Sequence, residues 1–384
     1  MRLPGDMLRD PALLAVLDAI EAGGNRAYLV GGAVRNALLA RPADDVDLAT
    51  DALPADVMRL AGTAGLKVVP TGIDHGTVTV VAGGRGFEVT TFRRDVETDG
   101  RRAVVAFSDD LAQDAQRRDF TMNALYAGRD GQVIDPVGGL PDLAARRLRF
   151  VGSAEQRIRE DYLRILRFFR FLAWYGQDAD ADAVAACTGL RDGLARVARE
   201  RIGAEMKKLL AAPDPVRSVA LMQETRVLAR ILPGADASAL PRLIALEPDL
   251  APAWPRRLAS LSSPDAPKAL RLSRDEARVQ QSLAVALASG WSLNEAGYRM
   301  GPCANDYALI RAARGGALPD DWQDRIARAA AARLPIGAGD LIRDLQGPAL
   351  GAGLKAAEAA WIAGDFAVPV PALIAAALRA GAAG

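Results

Sequence analysis

YLVGGAVRNALLARPADDVDLAT, residues 28–50, is the stretch around which the chain organises itself. Ala27–Val30 is a short apolar, β-prone run that breaks at Gly31-Gly32 and resumes as Ala33–Leu39, which reads as a helix. Strand, glycine pair and helix N-terminus let a backbone come close to a phosphate, because N–H groups and the positive end of the helix dipole face the anion. Arg35 lies one turn into that helix. Near the end of the stretch stand Asp45 and Asp47. Side chains two apart on a strand share a face, so the spacing predicts two carboxylates aimed at one spot. Like charges so placed repel unless one is protonated or a cation lies between them, and hard oxygen ligands suit Mg²⁺ with phosphate oxygens and water. A solvated strand end and a tight turn explain each half alone; their occurrence in one short stretch favours phosphate and metal.

Outward from this stretch, the bulk properties set bounds. A chain of 384 residues, half of them hydrophobic, can bury substantial cores and fits two to four domains. No apolar run is long enough to cross a bilayer, and MRLPGDMLRD at the N-terminus lacks the apolar centre of a signal peptide, so a cytoplasmic location without membrane association is expected. Cys187 and Cys303 have no metal-ligand spacing and are expected as a reduced pair of buried thiols. The net charge of +1 decides nothing about nucleic acid, since a neutral total can hide a basic face. Arginines do cluster at 146–170 and 191–201. The single histidine, His75, sits at a strand entrance and reads as a turn or packing residue.

Residues 8–22 predict an amphipathic helix and Pro54–Gly65 another, with strands over Lys67–Pro70, Thr77–Val81 and Phe87–Phe92. Strand and helix mix as far as about residue 138, giving a mixed, mostly antiparallel sheet. Asp95–Asp110 is charged with little periodicity and is expected as a mobile loop over the site, turning at Thr98–Arg101. From Pro141 onward the pattern is helical.

Three further places invite a chemical reading. Glu88 opens EVTTFR; acidic residues are depleted from strands, so it is either a third metal ligand or a solvated edge residue. In RRDFTMNA, residues 117–124, two arginines ahead of a helix can hold phosphates, while Asp119 and Asn123 share a helical face and can bond ribose hydroxyls. An N-capping Asp119 with solvated arginines is the plainer alternative. In EDYLRILRFFR, residues 160–170, Asp161 and Arg164 are helix neighbours that spacing alone would make an ordinary ion pair.

These motifs together resemble the class II tRNA nucleotidyltransferase and bacterial poly(A) polymerase family, the CCA-adding enzymes. The resemblance covers residues 27–170 strongly and a tail region, 335–361, weakly. It implies an α+β chain: a nucleotidyltransferase (polymerase-β-like) head with a mixed sheet over 1–140, then an all-α neck over 141–205 that reads the nucleobase, and a helical body and tail over 206–384 that bind tRNA. It assigns metal to Asp45 and Asp47, with Glu88 as third catalytic carboxylate, and the triphosphate to Gly31, Gly32, Arg35 and Arg118. Asp119 and Asn123 take the ribose, which would favour RNA over DNA. Asp161 and Arg164 form the base-reading edge, completed by Arg167 and Arg170. An acceptor beside a donor fits cytosine and adenine, whereas guanine and uracil put a carbonyl where the carboxylate needs a donor.

The implied activity is stepwise addition of C, C and A to the tRNA 3′ end from CTP and ATP by two-metal phosphoryl transfer with Mg²⁺. One departure stands out: Asn36 replaces the acidic residue that usually follows the arginine. Some relatives fuse a phosphohydrolase that needs several histidines, which one histidine cannot build. The rivals are a poly(A) polymerase, an enzyme adding only C or only A, and a catalytically silent RNA-binding protein on the same scaffold.

Overall fold

Among the described residues nine strands lie before residue 135: β1 (Ala27–Val30), β2 (Leu48–Thr50), β3 (Lys67–Gly72), β4 (Thr77–Ala82), β5 (Arg85–Thr91), β6 (Arg93–Asp99), β7 (Arg102–Phe107), β8 (Tyr126–Ala127) and β9 (Val133–Ile134). Seven of them form one sheet in the order β3-β4-β5-β2-β1-β8-β9, in which β2 and β5 run parallel and every other neighbouring pair is antiparallel. The computed structural model describes residues 1–43, 45–99 and 102–382. Contacts divide the chain into two units, Met1–Ile231 and Leu232–Gly384.

Helices of the first unit are α1 (Pro11–Glu21), α2 (Gly32–Leu38), α3 (Pro54–Thr63), α4 (Leu111–Gln116), α5 (Gly139–Ala144), α6 (Ala154–Glu160), α7 (Leu163–Tyr175), α8 (Ala181–Leu190) and α9 (Arg199–Leu210). Asp10 caps α1 by accepting from the Ala12 N–H at 3.0 Å, and Pro11 supplies the preset first turn. α1 and α3 pack against β4, and the strands show it: Val78, Val80, Phe87 and Val89 are buried while Thr79 and Glu88 between them are not. On β4 and β5 one face therefore builds a core while the other carries Thr79 and Glu88, whereas the central β2 is buried throughout.

A second core joins the sheet region to α7. Phe120, Phe150 and Phe168 are fully buried, with ring centroids 4.9 Å apart for Phe120–Phe150 and 5.8 Å for Phe150–Phe168. Such pairs each contribute about 0.5–1.5 kcal/mol beyond their buried area. α7 buries Leu163, Ile165, Leu166, Phe168, Phe169 and Leu172, which leaves Arg164, Arg167 and Arg170 on its remaining face.

Away from the candidate site the structure departs from the sequence reading in four places. Asp95–Asp110 is largely a hairpin of β6 and β7, not a loop. A register shift between Asp95 and Glu97 breaks the alternation that would have revealed it. The turn expected at Thr98–Arg101 includes Gly100 and Arg101, which lie outside the described residues. Residues 121–123 form a single 3₁₀ turn rather than the start of an α-helix. A two-residue parallel ladder, Arg147–Leu148 with Asp178–Ala179, interrupts the expected all-helical neck. Finally, the two thiols are both free, but only Cys187 is buried; Cys303 is exposed because it lies in a short 3₁₀ turn that buries none of its residues.

The second unit is helical. Arg274–Ser289 starts with a capping box between Ser273 and Glu276, and Gly347–Ala363 packs along Val370–Ala382 around Trp361, Leu373 and Ala377. The Gly347-Pro348 pair opens the first of these two helices. Glu247 is buried and accepts from both Arg256 and Arg257. No described helix is long and apolar enough to cross a membrane.

Candidate active site

Asp45 and Asp47 stand at the entrance of β2, in a bend and the residue before the strand, not inside it as their spacing suggested. The strand begins only at Leu48, yet the Val30 N–H donates to the Asp47 carbonyl at 3.0 Å and so extends the β1–β2 pairing to the second aspartate. Leu48 pairs with Val89 in parallel register, which sets Glu88 beside Asp47. The electrostatics agree: crowding by the surrounding protein and the Glu88 charge push the Asp47 carboxyl above its ordinary value, with a smaller push from Asp45, against an opposing pull from Arg118. Among the described residues no three His, Cys, Asp or Glu side chains converge closely enough to enclose a metal ion by themselves.

Gly31 turns the chain from β1 into α2 with φ +65° and ψ −117°, a combination natural to glycine. A side chain there would also meet Arg118, whose Nη1 lies 3.4 Å from an ideal Cβ. Gly32 begins α2, and the first N–H groups of a helix have no intrahelical acceptor.

Arg118 is held from behind. Its Nε donates to the Tyr126 hydroxyl at 2.9 Å and its Nη2 to Asp114 Oδ2 at 3.0 Å, while Tyr126 donates to the same Asp114 oxygen at 2.7 Å. Asp114 is buried. Burial alone would raise its carboxyl, but the Arg118 and Arg117 charges and the Tyr126 hydroxyl outweigh this and hold it at about 2.

Arg35 occupies the predicted turn of α2 but is 5% exposed. It donates from Nη1 to Asn123 Oδ1, from Nη2 to Asn36 Oδ1 at 2.9 Å and to the Tyr175 hydroxyl at 2.9 Å. Its guanidinium lies 3.9 Å from the Tyr175 ring centroid and 5.1 Å from that of Phe171. Asn36, the visible departure in sequence, also donates to the Pro42 carbonyl at 2.8 Å.

Asp119 and Asn123 do meet, but they bond each other. Asn123 Nδ2 donates to Asp119 Oδ1 at 3.0 Å, the Phe120 N–H donates to the same oxygen, and Arg167 Nε donates to Asp119 Oδ2 at 2.8 Å. Burial would raise Asp119; Arg167 and the donors from Asn123 and Phe120 hold it down at about 2.

Asp161 and Arg164 are not neighbours on one helix. The helical run breaks at Asp161, whose φ of −153° is extended, and α7 starts two residues later. The Asp161 carboxylate accepts from the Leu163 N–H at 3.0 Å and from Arg201 at 2.7 Å, and Arg164 Nη1 pairs with Glu160 at 2.5 Å. They therefore do not form the ordinary ion pair that spacing allows. Arg170 pairs with Glu205 at 2.6 Å. His75 ends an exposed 3₁₀ turn, in keeping with a turn residue.

Asp114, Tyr126 and Tyr175 were not singled out from sequence. Asp114 carried a signal, since it precedes Arg118 by one helical turn. Tyr175 carried none: it reaches Arg35 across 140 residues of chain.

Residues 27–149 match the poly A polymerase head domain, and residues 180–238 match the probable RNA and SrmB-binding site of polymerase A. A CCA-adding enzyme of Leuconostoc citreum is 45% identical over 221 residues, covering 57% of this chain and 54% of the relative. One from Geobacillus stearothermophilus is 43% identical over 223 residues, covering 58% and 54%. The chain thus spans about half the length of the curated relatives it matches. Among solved structures, the Bacillus stearothermophilus CCA-adding enzyme in complex with CTP superposes with a TM-score of 0.75 at 33% identity, over 92% of this chain and 93% of that one. The Thermotoga maritima CCA-adding enzyme complexed with tRNA shares the fold, with a TM-score of 0.70 at 19% identity over 98% of each chain.

Proposed function

This chain belongs to the family of the poly A polymerase head and the CCA-adding enzymes, and we propose that it adds C, C and A in turn to the 3′ end of tRNA, using CTP and ATP, in the cytoplasm. The observation that carries the reading is that Asp47 feels the charges of Glu88, Arg118 and Asp45 together, while Arg118 Nη1 lies 3.4 Å from the Cβ position of the Gly31 turn. Head, neck, and body with tail divide at residues 140 and 205 on this reading.

The donor set suits Mg²⁺. Oxygen ligands from two aspartates, a third carboxylate close by and no enclosing cage leave room for water and phosphate oxygens, which is how this ion binds. When bound, Mg²⁺ supplies the Lewis acidity that activates the terminal 3′-hydroxyl and offsets charge on the departing pyrophosphate. The protein's own groups do the rest. Asp45 and Asp47 hold the ion as carboxylates, and Glu88 keeps the patch negative. Arg118, with two edges occupied by Asp114 and Tyr126, turns its remaining edge to the phosphates. The glycine turn admits the triphosphate beside the backbone. No protein nucleophile is required.

Base choice falls to Asp161 and Arg164. Each is fixed by other partners and keeps hydrogen-bonding capacity, since a carboxylate has about four acceptor positions and a guanidinium five N–H donors. Ribose hydroxyls would meet the Asp119–Asn123 edge. On this reading Arg35, Arg167 and Arg170, which the resemblance also assigned to substrate, bond Tyr175, Asp119 and Glu205 and so shape the pocket around the nucleotide.

The test is incubation of the purified chain with tRNA lacking its 3′ end, Mg²⁺ and each labelled nucleotide in turn. Ordered incorporation of C, C and A is expected. Arrest after C, addition of A alone or a long A tail would replace the reading by one of its narrower relatives, and GTP or UTP incorporation matching CTP would overturn the assignment of Asp161 and Arg164.

A further inference from the structure

Helix α7 is fastened to the head at two points by one closed circuit of side chains. The circuit leaves α7 at Tyr175, whose hydroxyl accepts from Arg35 Nη2 at 2.9 Å. Arg35 Nη1 then donates to Asn123 Oδ1, and Asn123 Nδ2 to Asp119 Oδ1 at 3.0 Å. It returns to α7 at Arg167, whose Nε donates to Asp119 Oδ2 at 2.8 Å. Tyr175 and Arg167 are eight residues apart on one helix, about 12 Å along its axis. A helix held at one point can slide or rotate about it; held at two points so far apart, it can do neither without breaking the circuit.

Arg35 gives this circuit an unusual dependence on Tyr175. The guanidinium is buried, yet the hydrogen-bond acceptors named for it are neutral: Asn123, Asn36 and the Tyr175 hydroxyl. Among the described residues no carboxylate bonds this cation, so beyond those neutral acceptors it relies on the charge of Asp119 and on the faces of aromatic rings, the nearest being Tyr175 at 3.9 Å. The same ring lies 5.1 Å from Arg41, whose Nη1 donates to the Trp174 carbonyl at 2.6 Å.

We propose that Tyr175 is a positioning residue for nucleotide selection: through Arg35, Asn123 and Asp119 it locks α7, and with it Arg164 at the start of that helix, in register with the phosphate-facing turn of α2. The inference rests on the proposed function and names a residue that tunes the same site. Tyr175 itself touches no substrate. Its effect is on how strictly the base-reading edge is held, so it acts on the preference for CTP over UTP and for ATP over GTP more than on binding of a triphosphate as such.

Equilibrium binding of CTP, UTP, ATP and GTP to the full chain with Mg²⁺ tests this, in wild type, Tyr175→Phe, Tyr175→Ala, Arg167→Met and the Tyr175→Ala/Arg167→Met double variant. Tyr175→Ala is expected to reduce the CTP-to-UTP preference about tenfold, and Tyr175→Phe, which keeps the ring but lacks the hydroxyl that closes the circuit, to lose part of it. The two ends of one circuit must also be non-additive: once either is open, opening the other changes the preference little. Unchanged preference in Tyr175→Ala, or losses that simply add in the double variant, would overturn the inference while leaving the function intact. Wild-type protein that binds UTP as tightly as CTP would remove the function reading, and this inference with it.

Discussion

Asp114 and Arg118 are joined so that the carboxylate takes two of the guanidinium's nitrogens, Nε at 3.3 Å and Nη2 at 3.0 Å, and leaves Nη1 directed at the Gly31 turn. The buried acid thus aims the base. Tyr126 closes the arrangement by bonding both. Removing the carboxylate would leave a guanidinium partly buried without its countercharge, so Asp114→Ala is expected to destabilise the protein by about 3–5 kcal/mol. Asp114→Asn, which keeps the shape, should fold but lose activity with CTP and ATP alike. Thermal melts and incorporation kinetics on the two variants check this; an Asp114→Asn protein as active as wild type would separate Asp114 from the site.

Acid stability follows from the same groups. Asp114 and Asp119 sit at about 2 in the folded chain against an ordinary 3.8. The unfolded chain therefore binds their protons first as pH falls. Their contribution, on the order of 2 kcal/mol each, is complete above the ordinary carboxylate value and is lost as pH drops from about 4 through about 2. Urea midpoints measured across that range should fall steeply, and Asp119→Asn should flatten the slope.

Asp47 behaves in the opposite sense. Its raised pKa means that ionisation is penalised in the folded, metal-free chain, so its contribution to stability improves as pH falls through the raised value. Asp47→Asn should melt above wild type without Mg²⁺ and yet fail to incorporate nucleotide while still binding tRNA. Equal melting temperatures would argue that the three carboxylates are too far apart to matter to one another.

The proposed function uses Asp47 as a carboxylate, so on that reading activity should fall on the acid side as that carboxyl protonates. Glu88 is the leading neighbouring charge that raises it. Glu88→Gln should therefore move the acid limb of the kcat/KM profile, which reports the free enzyme, to lower pH, whatever it does to the height of the plateau. A limb that stays in place would assign the titration to another group.

Gly31→Ala tests the turn. The substitution forces a side chain into a φ of +65° and to within 3.4 Å of Arg118 Nη1 and 3.6 Å of the Asn123 carbonyl. A loss of about 1–3 kcal/mol is expected from the backbone alone, together with a rise in KM for both nucleotides as Arg118 is pushed aside. Denaturation and steady-state kinetics read the two effects separately.

What the sequence by itself determined is what depends on neighbours along the chain. The strand, glycine turn and helix of residues 27–38, the mixed sheet and the helical remainder all follow from local periodicity and from glycine's freedom at one turn. Spacing also drew attention to Asp45, Asp47 and Arg118, whereas Asp161 and Arg164 stood out only through the resemblance of their motif. Only the tertiary structure decided what those residues touch. Asp161 lies at a helix break rather than on a helix with Arg164, because its own side chain caps the next turn. The β6–β7 hairpin was hidden by a register shift that erases alternation. Arg35 meets Tyr175, and Asp119 meets Arg167, across long reaches of chain. Such pairings come from the packing of α7 against the head, and a spacing rule, which sees only neighbours a turn or a pleat apart, has no means of reaching them.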